Sequence, residues 1–144
     1  MSLRCLKLST LKMKTLVIDG NNLIHRTFHT AKQQSKRTQT DTPEQVSNFH
    51  ILFTLNAVNS YVKQFVPDKT IIVWDEKKEY KINERKKVFE AYKGNRSKDL
   101  SPHKNNEVIK SILLSIGINS IFPSQLVADD IVAYVCKEHD GKKV

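Results

Sequence analysis

Three short apolar segments, each followed by residues at helical spacing, constrain the fold of this 144-residue chain more than any other feature. The segments are Thr15–Ile18, Thr70–Trp74 and Ile118–Phe122, all of strand length and all containing β-branched residues. Strands that alternate with helices in this way form a parallel sheet with helices on both faces. We therefore predict a three-layer α/β fold with a mostly parallel, twisted sheet.

The helical segments between these strands have recognisable starts and stops. Thr42–Gln45 has a capping residue, a proline and a glutamine in the order of a helix start, and the apolar stripe that follows ends before Pro67. Ser101–Pro102 repeats this start signal, ahead of a helix that Gly117 ends. Further predictions are helices at Leu23–Ala31, Lys81–Tyr92 and Val127–His139, and a mobile polar loop at Lys32–Thr42.

The stripe after Thr42 predicts that the longest helix covers one face of the sheet. It consists of Val46, Phe49, Phe53, Ala57, Tyr61, Val62 and Phe65.

Length and charge limit the class of protein. A chain of this length with 39% hydrophobic residues supports one domain with one modest core. We expect this domain at residues 14–144, after a flexible basic extension at residues 1–13. The formal net charge of +9 makes nucleic acid the leading partner class, although an anionic membrane surface or plain solubility would also account for this charge.

Cysteine spacing and hydropathy predict the compartment. Cys5 and Cys136 lie far apart, without the CxxC spacing of a zinc site or a disulfide framework. This usage fits a reducing, intracellular setting. No apolar run approaches the roughly 18 residues that span a bilayer. We therefore expect a soluble, cytoplasmic protein that does not bind membranes.

Four aspartates are placed to share one edge of the predicted sheet. Asp19 follows the first strand, Asp75 follows the second, and Asp129 and Asp130 begin the helix after the third. The carboxyl ends of parallel strands lie along one edge, where these acids would repel one another without a cation. Oxygen ligands suit Mg²⁺ or Mn²⁺. An ordinary turn at Asp19 and helix-start stabilisation by Asp129 and Asp130 are the alternatives.

A strongly basic segment follows Asp75. Between Lys77 and Lys98 the chain has seven Lys and two Arg against three Glu, and it includes Tyr92-Lys93-Gly94-Asn95-Arg96. This balance suits a polyanion, but a solvated helix face can also carry it. His25 and His29 are four residues apart without a third ligand nearby, so we interpret them as surface or packing residues.

Three blocks of this sequence resemble the 5′-nuclease family. They are Val17–Ile24 with the following Arg26 and Phe28-His29, then Tyr92–Arg96, then Ala128-Asp129-Asp130. The family includes the 5′-3′ exonuclease domain of bacterial DNA polymerase I, flap endonucleases and bacteriophage 5′-exonucleases. The order and spacing of the blocks are similar to those of the family from Met13 onward.

The resemblance implies a PIN-like, resolvase-like α/β fold and a function in DNA replication and repair. It also implies Mg²⁺-dependent hydrolysis of DNA at 5′ ends or flaps, in which two metal ions activate water and stabilise the leaving oxygen. The implied site has metal-binding carboxylates at Asp19, Asp75, Asp129 and Asp130, catalytic phosphate contacts from Lys93 and Arg96, and further DNA contacts from Arg26, Lys81, Arg85 and Tyr92.

Two departures from the family pattern bear on activity. Val127 stands where the family usually has a metal-binding glutamate, and the chain ends at Val144, before the family's further aspartates. We therefore expect the N-terminal part of a nuclease with an incomplete two-ion site. The alternatives are an inactive DNA-binding remnant, a split-nuclease subunit that needs a second polypeptide, and a compact toxin-like ribonuclease. The Tyr92–Arg96 block makes the ribonuclease less favoured.

Overall fold

The computed structural model describes residues 13–75, 101–122 and 128–138. Several predictions therefore concern residues outside the described ranges. These are the basic extension up to residue 12, the helix at Lys81–Tyr92, the site residues Lys81, Arg85, Tyr92, Lys93 and Arg96, and the departure at Val127.

The described elements alternate between strands and helices as predicted. In chain order they are β1 (Thr15–Asp19), α1 (Gly20–Arg37), α2 (Pro43–Phe65), β2 (Lys69–Val73), a 3-10 turn (Ser101–His103), α3 (Asn106–Ser115), β3 (Asn119–Ile121) and α4 (Ala128–Glu138). The observed strand ends differ from the predicted ones by one residue. Within the described residues, no helix has the length and apolar character needed to cross a membrane.

The three strands form a parallel sheet in the order β1-β2-β3. Asp19 of β1 pairs with Val73 of β2, and Val73 pairs with Ile121 of β3. The backbone amide of Trp74 also donates to the carbonyl of Ile121 at 2.9 Å, so the contact between β2 and β3 continues past the last ladder residue. All three strands therefore end at the same edge, where the predicted acids lie.

Helices cover both faces of this sheet. Because successive strand side chains point to opposite faces, Ile18, Ile72 and Trp74 share one face, and they pack into the core with α1, α2 and α3. α4 packs against β1 and β2, and the buried Val73 and Ala128 lie outside that cluster, on the other face. The arrangement confirms the predicted three-layer α/β fold.

Helix α1 is longer than predicted. The expected loop at Lys32–Thr42 is wrong for its first half, because the helix continues to Arg37. The residues that extend it are Lys, Gln, Ser and Arg, of which Lys, Gln and Arg favour helices even without apolar side chains. Ser35 is fully buried and its hydroxyl donates to the carbonyl of Thr40 at 2.7 Å, which anchors the end of the helix.

Helix α2 begins as predicted but buries a different set of residues. The amide of Gln45 donates to the hydroxyl of Thr42 at 3.2 Å, and Pro43 takes the first helical position. The most buried positions are His50, Thr54 and Val58, whereas the predicted apolar stripe is only half-buried. α2 packs mainly on α1 and α3, and its Val58 belongs to the core cluster with Ile18 and Ile72 of the sheet, so α2 contributes to the cover of that face.

Helix α3 begins later than predicted. The signal at Ser101–Pro102 produces a 3-10 turn, and the α-helix starts at Asn106 after Asn105. The side chain of Asn105 makes no capping bond because its amide group contacts Ser47 and His50 of α2 instead. The Asn105 side chain therefore forms tertiary bonds instead of a local cap.

Candidate metal and nucleic-acid site

Asp19 joins the end of β1 to the start of α1. Its side chain caps the helix by accepting a hydrogen bond from the amide of Asn22 at 3.0 Å. Asp19 therefore caps a helix that begins at Gly20, and the turn considered for this position is not what the structure has there. A capping carboxylate can still bind a cation, because it has four lone-pair positions and one amide occupies only part of them.

Asp75 lies two residues beyond the end of β2 and contacts the start of α4. Its carboxylate accepts a hydrogen bond at 2.8 Å from the amide of Ala128, the first residue of that helix. This bond brings the first turn of α4 to the carboxyl edge of the sheet. The exposed Asp129 and the half-buried Asp130 both belong to this turn, where the helix dipole favours negative charge.

Three of the predicted acids influence one another. Burial raises the pKa of Asp19, and the negative charges of Asp129 and Asp75 raise it further, while the amide of Asn22 opposes the shift. The direction of the shift shows that repulsion and desolvation outweigh the capping bond. The structure therefore brings Asp19, Asp75 and Asp129 to one edge, whereas the contribution of Asp130 remains a prediction from its place in the sequence.

The donor chemistry of this edge suits a hard divalent cation. Its side chains offer carboxylate oxygens, and a cation between them would relieve the repulsion on Asp19. Among the described residues, no three His, Cys, Asp or Glu side chains are close enough together to hold a metal ion. Mg²⁺ commonly takes one or two carboxylates and keeps several water ligands, so the described acids fit such a site without enclosing it.

Arg26 lies on the exposed side of α1, beside a small cavity. Its guanidinium donates to the hydroxyl of Tyr61 on α2 at 3.3 Å. The cavity has a volume of about 230 Å³. Its walls are Leu23, Arg26, Thr27, Thr30, Phe53, Ala57 and Tyr61. This position is compatible with the predicted DNA contact by Arg26, which remains a prediction.

One feature of this edge was not predicted from the sequence. The ammonium of Lys110 on α3 lies 4.9 Å from the centroid of the Trp74 ring and 4.7 Å from that of Phe122. Nothing in the helical pattern distinguishes Lys110 from other surface lysines. The register of β2 with β3 brings Trp74 next to Phe122, and no register was predicted for these strands.

The two histidines interpreted as surface or packing residues do pack against aromatic rings. His25 makes an edge contact with His103, with ring centroids 5.1 Å apart, and the exposed His29 lies 6.3 Å from Phe28.

The structure defines the class of protein as a parallel α/β domain with acidic residues at the carboxyl edge of its sheet. Residues 14–144 match the family described as 5′-3′ exonuclease, N-terminal resolvase-like domain. The chain belongs to this family, which confirms the resemblance found in the sequence.

Two known proteins are similar to the chain. The chain is 30% identical over 132 residues to a 5′-3′ exonuclease of Aquifex aeolicus, covering 90% of this chain and 43% of that protein. It therefore spans less than half the length of this relative. The T5 D15 protein, crystallised with metal ions, aligns in structure with a TM-score of 0.48 and 16% identity, over 85% of this chain and 42% of the T5 protein.

Proposed function

We propose that this chain takes part in the hydrolysis of DNA phosphodiester bonds at 5′ ends or flaps, with a divalent cation held by Asp19, Asp75, Asp129 and Asp130. The observation that carries the proposal is that Asp19, at the end of β1, and Asp75, bonded to the first turn of α4 that contains Asp129, lie at the same carboxyl edge of the sheet. Membership of the 5′-3′ exonuclease family supports the same reaction and DNA as the substrate.

The proposed roles follow from the placement of each side chain. Asp19, fixed by its capping bond, and Asp75, fixed by the amide of Ala128, would present carboxylate oxygens to Mg²⁺ or Mn²⁺. Asp129 would approach from the first turn of α4. When bound, the metal supplies charge stabilisation at the reacting phosphate and lowers the pKa of a water molecule.

The basic residues would bind the substrate. Arg26 is exposed on α1 and can pair with a backbone phosphate, since a guanidinium binds phosphate oxygens through two parallel hydrogen bonds. Lys93 and Arg96 are proposed to contact the scissile phosphate, and Lys81, Arg85 and Tyr92 to contact the flanking DNA. These five residues lie outside the described ranges, so their roles rest on the family resemblance.

The test measures cleavage of labelled 5′-flap and nicked duplexes by the chain with Mg²⁺, with Mn²⁺ and with EDTA. We expect metal-dependent product from the wild-type chain and at least about a hundredfold less from Asp19→Asn, since a lost metal ligand removes several kcal/mol of transition-state stabilisation. Asp41→Asn is the matched control. Asp41 is exposed near the start of α2 and far in sequence from the acidic edge.

A second experiment tests whether cleavage needs a further polypeptide, since the chain covers only 43% of the Aquifex aeolicus exonuclease. The chain is mixed with a polypeptide that corresponds to the part of the Aquifex aeolicus exonuclease beyond the matched region, as a source of further carboxylates. Cleavage only in the mixture would support a nuclease that uses a second polypeptide. Salt-sensitive binding of flap DNA without cleavage in either arm would contradict the nuclease proposal and indicate a binding role.

A further inference from the structure

Trp74, Lys110 and Phe122 form a group at the carboxyl edge of the sheet that the proposed hydrolysis does not use, and we name it the aromatic–lysine cluster. The Lys110 ammonium lies 4.7 Å from the Phe122 ring centroid and 4.9 Å from that of Trp74. It also contacts the carboxylate of Glu107 at 3.2 Å. Only 13% of the Lys110 side chain is exposed, so the cation is held between the two rings.

The register of the strands places this cluster at the same end of the sheet as the acids. Val73 pairs with Ile121, and the Trp74 amide donates to the Ile121 carbonyl, so Phe122 neighbours Trp74 across about 5 Å of strand spacing. The next residue after Trp74 is Asp75. The cluster and the carboxylates therefore occupy the same edge of the sheet, with the cluster on the α3 face and Asp75 on the α4 face.

The two rings differ in exposure, which separates their roles. Trp74 is 1% exposed, belongs to the core and donates its indole N–H to the Ser120 hydroxyl at 3.0 Å. Phe122 keeps 51% of its surface exposed while Lys110 lies over its ring. A Phe side chain this exposed gains little from burial in the fold. Its ring is held in place by the cation and remains accessible from solvent.

An exposed aromatic ring next to a cation has the chemistry of a nucleobase-binding surface. Unpaired bases stack on aromatic side chains regardless of their sequence, and a cation over a ring holds that ring through a cation–π contact. Paired bases are already stacked within the duplex, so such a ring selects for single-stranded segments. The net charge of +9 favours a polyanionic partner.

We propose that Phe122 stacks on an unpaired nucleobase of the substrate strand beside the acidic edge, and that Lys110 orients the ring. The proposal deepens the proposed nuclease function, on which it rests, by naming an unpaired segment as the part of the substrate recognised here. Phe122 is then a substrate-binding residue and Lys110 a positioning residue.

The experiment uses the full chain and flap DNA with 2-aminopurine at successive positions of the unpaired 5′ strand. Binding is measured in EDTA, where no metal-dependent cleavage consumes the probe. We expect the wild-type chain to quench the fluorescence at one or two neighbouring positions through stacking. Phe122→Ala should abolish this quenching and weaken flap binding about tenfold, within the range of base–aromatic stacking.

Three further variants separate stacking from general effects. Phe122→Trp should retain quenching because it keeps an aromatic surface. Lys110→Met should reduce quenching at the same position, since the ring loses its cationic contact. Leu114→Ala is the matched control, because Leu114 is an apolar residue on α3 that is 61% exposed. It should leave both affinity and quenching unchanged, and affinity for fully paired DNA should be the same for all variants.

The outcomes distinguish the two proposals. A wild-type chain that does not quench the probe, or a Phe122→Ala variant that quenches it normally, would overturn the stacking proposal even if the chain cleaves flaps. Quenching that depends on Phe122 would support stacking even if no metal-dependent cleavage occurs, in which case the nuclease proposal alone fails.

Discussion

The carboxylate of Asp75 accepts a hydrogen bond at 2.8 Å from the backbone amide of Ala128, 53 residues further along the chain. The bond joins the end of the central strand to the first turn of α4. It satisfies one of the amides that a helix start leaves without an intrahelical partner. The same contact brings Asp129 to the edge of the sheet, where its negative charge raises the pKa of Asp19. Asp75 therefore combines a structural role with its proposed role as a metal ligand.

Substitutions at Asp75 should separate these two roles. Asp75→Ala removes both the acceptor and the charge, and we expect a loss of about 1 kcal/mol in the free energy of unfolding, as for a lost helix cap. Asp75→Asn keeps an acceptor for the Ala128 amide and should lose much less stability. Both variants should lose metal-dependent cleavage. Urea unfolding in EDTA gives the stabilities, and equal losses for the two variants would argue against the capping role.

Gly20 is required by the close approach of α1 to the sheet. A Cβ atom at this position would lie 2.7 Å from two indole carbons of Trp74 and 2.8 Å from Cγ2 of Ile72. Both neighbours are buried in the core and cannot move away without disturbing it. We expect Gly20→Ala to destabilise the protein by about 1–3 kcal/mol, the usual range for overpacking a core.

A double-mutant cycle tests the cause of this loss. Trp74→Leu removes the indole, so Gly20→Ala should cost less in the Trp74→Leu background than in the wild type. Thermal unfolding of the four proteins supplies the coupling energy. Additive effects of the two substitutions would show that the Trp74 ring is not what excludes a side chain at position 20.

The sheet and its acidic edge were predictable because parallel topology alone fixes which strand ends lie together. Asp19 and Asp75 follow apolar runs of strand length, and this needs no knowledge of packing. The contacts of Asp75 with Ala128 and of Lys110 with Phe122 were not predictable, since they depend on strand register and on residues distant in sequence. Metal binding by the acids stays a prediction.

The end of helix α1 was predicted wrongly for a different reason. The absence of large apolar residues after Ala31 suggested a loop, yet the helix continues for six more residues. Intrinsic helix propensity and the buried Ser35 determine this end, and an apolar pattern detects neither. The polar core positions of α2 were missed for a related reason, because His50 and Thr54 are buried through hydrogen bonds rather than hydrophobicity.

Replacing Asp19 with asparagine should stabilise the metal-free protein. Burial and the charges of Asp129 and Asp75 raise the pKa of Asp19, so its ionised form is disfavoured in the folded state at neutral pH. Asparagine removes the charge and is as good a helix-capping residue as aspartate. We expect Asp19→Asn to unfold at a higher urea concentration than the wild type in EDTA at pH 7.

The dependence of this effect on pH supplies the control. A raised folded-state pKa means that the unfavourable charge is present at neutral pH and disappears once acid protonates the carboxylate. The stability gain of Asp19→Asn should therefore shrink as the pH falls toward the unfolded-state pKa of Asp. A gain of the same size at all pH values, or no gain at pH 7, would contradict the raised pKa of Asp19.

His50 connects three helices through a buried hydrogen-bond network. The carbonyl of Ile24 on α1 can only accept, so His50 donates to it from Nε2 at 3.0 Å. Its Nδ1 then accepts from the side-chain amide of Asn105 at 3.2 Å, next to α3. Ser47, one turn before His50 on α2, donates to the carbonyl oxygen of that amide at 2.7 Å. The neutral ring therefore has a hydrogen-bond partner at each of its two nitrogens.

Acid should weaken the fold through this residue. Burial lowers the pKa of His50, nearby His25 and His103 lower it further, and the Ile24 carbonyl only partly opposes them. Because the unfolded state binds the proton more readily, the stabilising contribution is complete above about pH 6.5 and is lost as the pH falls below it. The loss can reach about 1.4 kcal/mol per pH unit. Urea unfolding between pH 7.5 and 5 measures it. We expect the free energy of unfolding of His50→Gln to depend less on pH than that of the wild type. His29→Gln is the control, because His29 is exposed, and it should depend on pH as the wild type does. Equal pH dependence of His50→Gln and the wild type would exclude His50 as the source of the loss.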